Sequence, residues 1–163
     1  MSARDEAMKV SLEEAIYREI GARDFYGKIA DTIRNSEGKE LFSRLSTDEE
    51  GHREKLAGWY SKLFSEDFET DEGKLRDSEI KGFEVSERTG AMEALDIAIE
   101  AESKASDFYS KRAGEATDPG LRDLFLELSE VEKGHYDLLE AERNSLSGGF
   151  YWFDMDSSSF MEE

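Results

Sequence analysis

The chain has 163 residues, enough for one domain with a single core, and its lack of cysteine excludes disulfides, iron–sulfur centres and thiolate zinc sites. Its formal net charge of −19 argues against nucleic acid as a partner, because phosphate would be repelled. The first ten residues lack the apolar stretch of a signal peptide, and no apolar run has membrane length, so we expect a cytoplasmic protein with no membrane partner.

The first two predicted helices form a hairpin. The first begins at Ser11, which with Glu14 gives the S-x-x-E pattern of a capping box, and it ends near Asn35. The second follows Gly38 and runs to about Phe64. In both segments apolar residues recur three and four positions apart, which is typical of helices that bury one face.

A second hairpin follows a long connection. Residues 65–89 are acidic and show no periodic pattern, and a third helix is predicted from near Thr89. Asp118 and Pro119 are typical of the N-cap and first position of a fourth helix, which ends near the Ser-Gly-Gly at 147–149. Because the turn within each pair is short, we expect the two helices of each hairpin to be antiparallel.

The two hairpins are a sequence repeat. The string L-x-x-A-I-x-x-E-x-x-A-x-D-F-Y occurs at 12–26 and again at 95–109. The string L-F-x-x-L-S-x-x-E-x-G-H occurs at 41–52 and again at 124–135, with the same shift and no gap. Such a repeat predicts two similar units related by a pseudo-two-fold axis.

These features predict an all-α fold, a four-helix bundle of two pseudo-symmetric helical hairpins in residues 1–146. The connection at 65–89 is long enough, at about 80 Å when extended, to cross a bundle about 40 Å long. Residues 147–163 form an aromatic and acidic C-terminal tail, whose aromatic cluster at 150–153 is predicted to cap the bundle or cover a subunit contact.

Six ionisable side chains interrupt the apolar faces of the four helices, where an unpaired carboxylate is costly to bury. They are Glu19, Glu49, His52, Glu102, Glu132 and His135. One glutamate from each of two helices and Glu-x-x-His from each of the other two is a dinuclear metal-binding arrangement. We predict two iron ions, with manganese or zinc as alternatives, bridged by Glu49 and Glu132. The competing interpretation is a duplicated polar patch that faces solvent.

Two tyrosines follow the first-helix and third-helix glutamates by seven residues on the same helix face. Tyr26 and Tyr109 are either core residues or donors of a hydrogen bond to a carboxylate of the metal site. Both interpretations remain open from the sequence.

The paired motifs E-x-x-A-x-x-F-Y and E-x-x-H resemble the rubrerythrin-like branch of the ferritin-like superfamily over about 12–146. The resemblance implies a ferritin-like bundle, a di-iron site on the six residues with the two tyrosines beside it, reaction with peroxide or dioxygen, and a homodimer. The cysteine-rich rubredoxin domain of rubrerythrin proper is missing, so an external electron donor such as a rubredoxin-type protein is expected. Ala105 replaces an additional glutamate that peroxidases of this type carry.

Three functions are compatible with these observations. The first is a non-haem di-iron carboxylate oxidoreductase that reduces hydrogen peroxide or dioxygen. The second is a ferroxidase or iron-handling protein, for which ferrous iron is itself the substrate. The third is a metal-binding protein without enzymatic activity.

Overall fold

The computed structural model describes residues 1–78 and 90–145, and all regular structure in these residues is α-helical. The elements are α1 (Ala3–Thr32), α2 (Ser36–Phe64), α3 (Glu72–Ser78), α4 (Ala91–Glu115) and α5 (Pro119–Ser145). None of them combines the length and hydrophobicity that a membrane-crossing helix requires.

Helix α1 begins eight residues before the predicted start at Ser11, so that prediction was wrong. The capping box is formed instead by Ser2 and Asp5: the Asp5 amide donates to Ser2 Oγ at 3.1 Å, and the Ser2 amide donates to the Asp5 carboxylate at 3.2 Å. Ser11 is buried inside the helix. The intervening residues contain no proline or glycine, so nothing in them interrupts the helix.

The other helix ends agree with the sequence to within a few residues. Helix α2 ends at Phe64, as predicted. Asp118 caps α5 by accepting a hydrogen bond from the Leu121 amide at 3.1 Å, and Pro119 is the first helical residue. Helix α4 begins at Ala91. The predicted end of α5 at 147–149 lies outside the described residues.

The four long helices form the predicted bundle of two hairpins. The connections are only residues 33–35 and 116–118, so α1 packs antiparallel against α2 and α4 antiparallel against α5. The hairpins meet through contacts of α1 with α4 and of α2 with α5. The predicted all-α fold is therefore confirmed.

The first part of the predicted crossover lies against α1 and contains α3, a helix that the aperiodic sequence did not predict. The Asp71 amide donates to the Tyr17 hydroxyl at 2.9 Å. The Phe68 ring lies edge-on to Tyr17, with the ring centroids 5.4 Å apart, and it also packs on Tyr60. The rest of the crossover and the tail at 147–163 lie outside the described residues, so the domain boundaries remain a prediction.

The core consists of two apolar clusters that correspond to each other through the repeat. One contains Tyr26, Phe42 and Leu95, and the other contains their counterparts Tyr109, Phe125 and Leu12. Along α1, the buried apolar residues between positions 12 and 20 belong to one cluster and those between positions 25 and 30 to the other. Glu19 lies where the two clusters meet, so the helices place polar side chains between two dry layers.

Candidate metal centre

All six predicted ligand residues are buried in the middle of the bundle. The four glutamates are 1–2% exposed, and His52 and His135 are 7% and 6% exposed. No other aspartate, glutamate, lysine, arginine or histidine is buried among residues 1–75 and 92–145, for which the structure describes burial. This placement excludes the alternative of a polar patch on the solvent face.

Serine hydroxyls fix the register of the helices that carry these side chains. Ser46, three residues before Glu49, donates to the Arg23 carbonyl of α1 at 2.9 Å. Its counterpart Ser129 donates to the Ser106 carbonyl of α4 at 2.9 Å. These two matching cross-links hold α2 at a defined height against α1, and α5 at the corresponding height against α4.

The six side chains form two overlapping groups of four. The first group is Glu19, Glu49, His52 and Glu132, and the second is Glu49, Glu102, Glu132 and His135. Within each group, one oxygen or nitrogen atom from every residue lies within 4.8 Å of the others. Glu49 and Glu132 belong to both groups. The site therefore consists of two shared carboxylates and one separate Glu–His pair in each group.

Both histidines direct Nδ1 towards the glutamates. His52 Nδ1 lies 3.0 Å from Glu132 Oε1 and 3.5 Å from Glu19 Oε2. His135 Nδ1 lies 3.1 Å from Glu49 Oε1 and 3.5 Å from Glu102 Oε1. The two rings are stacked, with their centroids 6.2 Å apart. The pseudo-two-fold symmetry of the sequence is thus present in the geometry of the site.

The inward-facing atoms of this cluster form no hydrogen bond with any described residue. They are Glu19 Oε2, Glu49 Oε1, His52 Nδ1, Glu102 Oε2, Glu132 Oε1 and His135 Nδ1. The close approaches between them lack hydrogen-bond geometry, and each unsatisfied buried group costs about 1–3 kcal/mol. Divalent cations would satisfy all six atoms, and carboxylates with imidazoles suit iron, manganese or zinc. The donor set therefore fits a metal centre.

Without a metal, the crowded carboxylates perturb each other's ionisation. Burial raises the pKa of Glu49 well above its ordinary value, and the charges of Glu19, Glu132 and Glu102 raise it further. Burial also raises the pKa of Glu132, together with its contact with Glu102. Protons on the two shared glutamates therefore take the place of positive charge in the metal-free cluster.

The pKa values of Glu102 and His135 shift in the directions that favour their charged forms. Burial favours a high pKa for Glu102, but contacts with Glu132, His135 and Tyr26 outweigh burial and hold its pKa below the ordinary value. Burial favours a low pKa for His135, but the carboxylates of Glu102, Glu132 and Asp48 outweigh it and raise the pKa to about 8. The metal-free site is therefore held together partly by an imidazolium–carboxylate pair.

The two tyrosines cross from one hairpin to the other. The Tyr26 hydroxyl donates to Glu102 Oε1 at 2.5 Å, and the Tyr109 hydroxyl donates to Glu19 Oε1 at 2.5 Å. Both phenols are fully buried, and burial with the nearby carboxylates raises the pKa of each well above 10. Each hydroxyl therefore keeps its proton and holds the carboxylate of the opposite hairpin in place.

The site also includes Asp48, which the sequence prediction did not include. Its Oδ2 lies 3.1 Å from His135 Nε2, on the side of the ring that faces away from the glutamates. The sequence signal was available, because Asp48 directly precedes Glu49 and its counterpart in the repeat is Val131.

Comparison with known proteins agrees with this geometry. The sequence model of the rubrerythrin family matches residues 11–143. The chain belongs to the rubrerythrin family. Its membership and the buried glutamate–histidine cluster together indicate metal binding. A search of curated protein sequences found no match.

Solved structures show that this rubrerythrin-family chain has a ferritin-like fold. A hypothetical protein from Pyrococcus furiosus superposes with a TM-score of 0.68 and 26% identity, over 86% of this chain and 90% of that one. A dodecameric thioferritin, the bacterioferritin-related protein of Bacteroides fragilis, superposes with a TM-score of 0.78 and 16% identity, over 88% of each chain. A ferritin-like, diiron-carboxylate protein from Bacillus anthracis superposes with a TM-score of 0.64 and 20% identity, over 88% of this chain and 99% of that one.

Proposed function

We propose that this chain is a non-haem di-iron carboxylate oxidoreductase that reduces hydrogen peroxide or dioxygen with electrons from an external donor. The observation that carries the proposal is the pair of four-residue groups that share Glu49 and Glu132. A single mononuclear site would not require two histidines on opposite sides of two shared carboxylates.

Charge balance supports two divalent ions. Four glutamates offset four positive charges when both imidazoles are neutral. Glu19 and His52 would hold one ion, Glu102 and His135 the other, and Glu49 and Glu132 would bridge them. Six side chains leave coordination positions for a small molecule. A bound ferrous pair would supply the two electrons that reduce hydrogen peroxide to water or dioxygen to peroxide.

The protein's own contribution is to orient the carboxylates and to keep the site dry. Tyr26 and Tyr109 hold Glu102 and Glu19 by hydrogen bonds, so these two glutamates keep their positions when the charge of the site changes. The apolar clusters above and below exclude bulk water, which strengthens electrostatic interactions inside the site.

The same proposal specifies partners and location. The lack of cysteine leaves the chain without a rubredoxin-type centre of its own, so its electrons would come from a separate donor such as a rubredoxin-type protein. We also propose a cytoplasmic homodimer, on the basis of the family.

Iron handling is the second candidate function. Ala105, one turn after Glu102 on α4, offers no ligand atom where peroxidases of this type have an additional glutamate. The thioferritin of Bacteroides fragilis, a bacterioferritin-related protein, shares the fold. In this alternative, ferrous iron is the substrate and dioxygen or peroxide is the oxidant.

Stopped-flow mixing of the anaerobic ferrous-loaded protein with hydrogen peroxide and, separately, with dioxygen tests the proposal. We expect peroxide to oxidise the ferrous site after mixing. We expect an external reductant to restore the ferrous site for further turnovers. Faster oxidation by dioxygen, with iron accumulating beyond the site, would favour ferroxidase activity. Absence of oxidation by either would leave only metal binding.

Tyr109→Phe is expected to retain both metal ions but to weaken binding by about 10-fold, the lower end of the effect of losing an outer hydrogen-bond partner. The reason is that Glu19 loses the donor that fixes it. Tyr136→Phe is the matched control, because the Tyr136 hydroxyl bonds Glu140 outside the site. Titration with ferrous iron under anaerobic conditions measures both variants, and equal affinities would reject the role of Tyr109.

A further inference from the structure

The two histidines of the site differ on their outer sides. His135 Nε2 contacts the Asp48 carboxylate of α2 at 3.1 Å. No described residue forms a hydrogen bond with His52 Nε2, and the position equivalent to Asp48 on α5 is the half-buried Val131. The site is therefore symmetric in its six inner side chains but asymmetric in the groups that support them.

This difference has a defined chemical consequence. A carboxylate only accepts hydrogen bonds, so contact with Asp48 requires the proton of a neutral His135 ring to lie on Nε2. The lone pair then lies on Nδ1, the atom that faces Glu49 and Glu102. A hydrogen-bonded carboxylate also raises the basicity of a ligating imidazole. Among the described residues, no carboxylate contacts His52 Nε2 to select its tautomer or to increase its basicity.

We propose that Asp48 makes the two metal positions unequal, so that the position beside His135 and Glu102 binds its cation first and the position beside His52 and Glu19 second. This inference rests on the dinuclear site of the proposed function. It assigns Asp48 as a positioning residue that acts through His135, since Asp48 belongs to neither four-residue group of ligand candidates.

Asp48 is suited to this role because its own side chain is largely in solvent. Its side chain is 48% exposed, whereas His135 is buried. Replacing an exposed carboxylate leaves the packed core unchanged, so variants at position 48 are expected to fold. The effect of such a variant on metal binding then measures what the contact between Asp48 and His135 contributes.

The chain offers a direct test because it contains only these two histidines. The metal-free protein, labelled with ¹⁵N in its histidines, is titrated with Zn(II), which is diamagnetic, and the ring nitrogens are followed by long-range ¹H–¹⁵N NMR. With one Zn(II) per chain, we expect the metal-dependent shift at His135 Nδ1, with His135 Nε2 still protonated. The His52 shift should develop only with the second equivalent.

Paired substitutions separate this effect from a general loss of charge. Asp48→Val makes the two halves alike at this position and is expected to weaken the first binding step by about 10–100-fold. Asp48→Val combined with Val131→Asp transfers the carboxylate to His52 and should reverse the order of filling. Asp137→Val, which removes an exposed carboxylate two residues after His135, is the matched control and should leave the order unchanged.

The outcomes distinguish this inference from the proposed function. If two Zn(II) ions shifted the ring-nitrogen signals of both histidines in parallel, in the wild type and in Asp48→Val alike, the two metal positions would be equal. That result would overturn the inference and leave the dinuclear site intact. An order of filling that does not reverse in the double variant would also overturn it. Failure of Zn(II) to shift either histidine would overturn both the inference and the site on which it rests.

Discussion

Glu132→Gln is expected to prevent binding of the metal pair and to abolish oxidation of the ferrous protein by peroxide. Glu132 is 1% exposed and belongs to both four-residue groups, so its loss removes one ligand from each metal position at once. The amide preserves the volume of the side chain but removes its charge. We expect a loss of affinity larger than the roughly 100-fold that accompanies loss of an outer partner.

Glu130→Gln is the matched control for this substitution. Glu130 lies on the same helix, two residues earlier, and is exposed. Anaerobic iron titration followed by peroxide oxidation should give wild-type behaviour for Glu130→Gln. If Glu132→Gln retained both ions and the reaction, bridging by this residue would be rejected.

Metal removal should destabilise the protein strongly near neutral pH. A ligand that binds only the folded state, at a free concentration 1,000 times its dissociation constant, adds about 4 kcal/mol of unfolding free energy. For a chain of this size that corresponds to an increase of roughly 10 °C in the melting temperature. Thermal melts of the metal-free and iron-loaded protein, followed by circular dichroism under anaerobic conditions, measure the difference, and coincident melts would contradict it.

The metal-free protein should also lose stability as the pH rises above about 5. The pKa values of Glu49 and Glu132 are raised in the folded state, so the unfolded chain releases these protons first. The contribution of the raised pKa of His135 is complete below its ordinary value of 6.5 and is lost as the pH rises through about 8. Glu102, with its lowered pKa, acts oppositely, but only in the acidic range below its ordinary value of 4.5.

Urea denaturation of the metal-free protein between pH 5 and pH 9 tests this dependence. The unfolding free energy is expected to fall across the range. Bound metal replaces the missing protons, so the iron-loaded protein should show a smaller decrease between pH 5 and pH 7. A metal-free protein whose stability rises with pH would show that the carboxylate cluster is not desolvated as the structure indicates.

The sequence predicted the bundle and the members of the buried cluster because both depend on periodicity. A glutamate in an apolar stripe must face the core, and the constant shift between the two halves brings Glu19 and Glu102 to equivalent places. Periodicity could not locate the start of α1, since Ser2 and Ser11 both match a capping pattern and only the continuous helical contacts select Ser2. It also could not detect α3, which is too short for a pattern.

The contacts between the two hairpins could not be predicted from the sequence. Tyr26 reaches Glu102 and Tyr109 reaches Glu19 across the bundle, and sequence spacing along one helix contains no information about that crossing. The contact between Asp48 and His135 likewise joins α2 to α5. A break in the repeat, such as Asp48 opposite Val131, is the sequence feature that can direct attention to such contacts.

The number of metal ions bound per chain is the most direct test of a dinuclear centre in this protein. The metal-free protein would be titrated with ferrous iron under anaerobic conditions, freed of excess iron by gel filtration, and subjected to elemental analysis together with quantitative amino-acid analysis. The two overlapping groups that share Glu49 and Glu132 predict a plateau at about two iron ions per chain. A plateau near one ion, or no retained iron, would contradict a dinuclear centre.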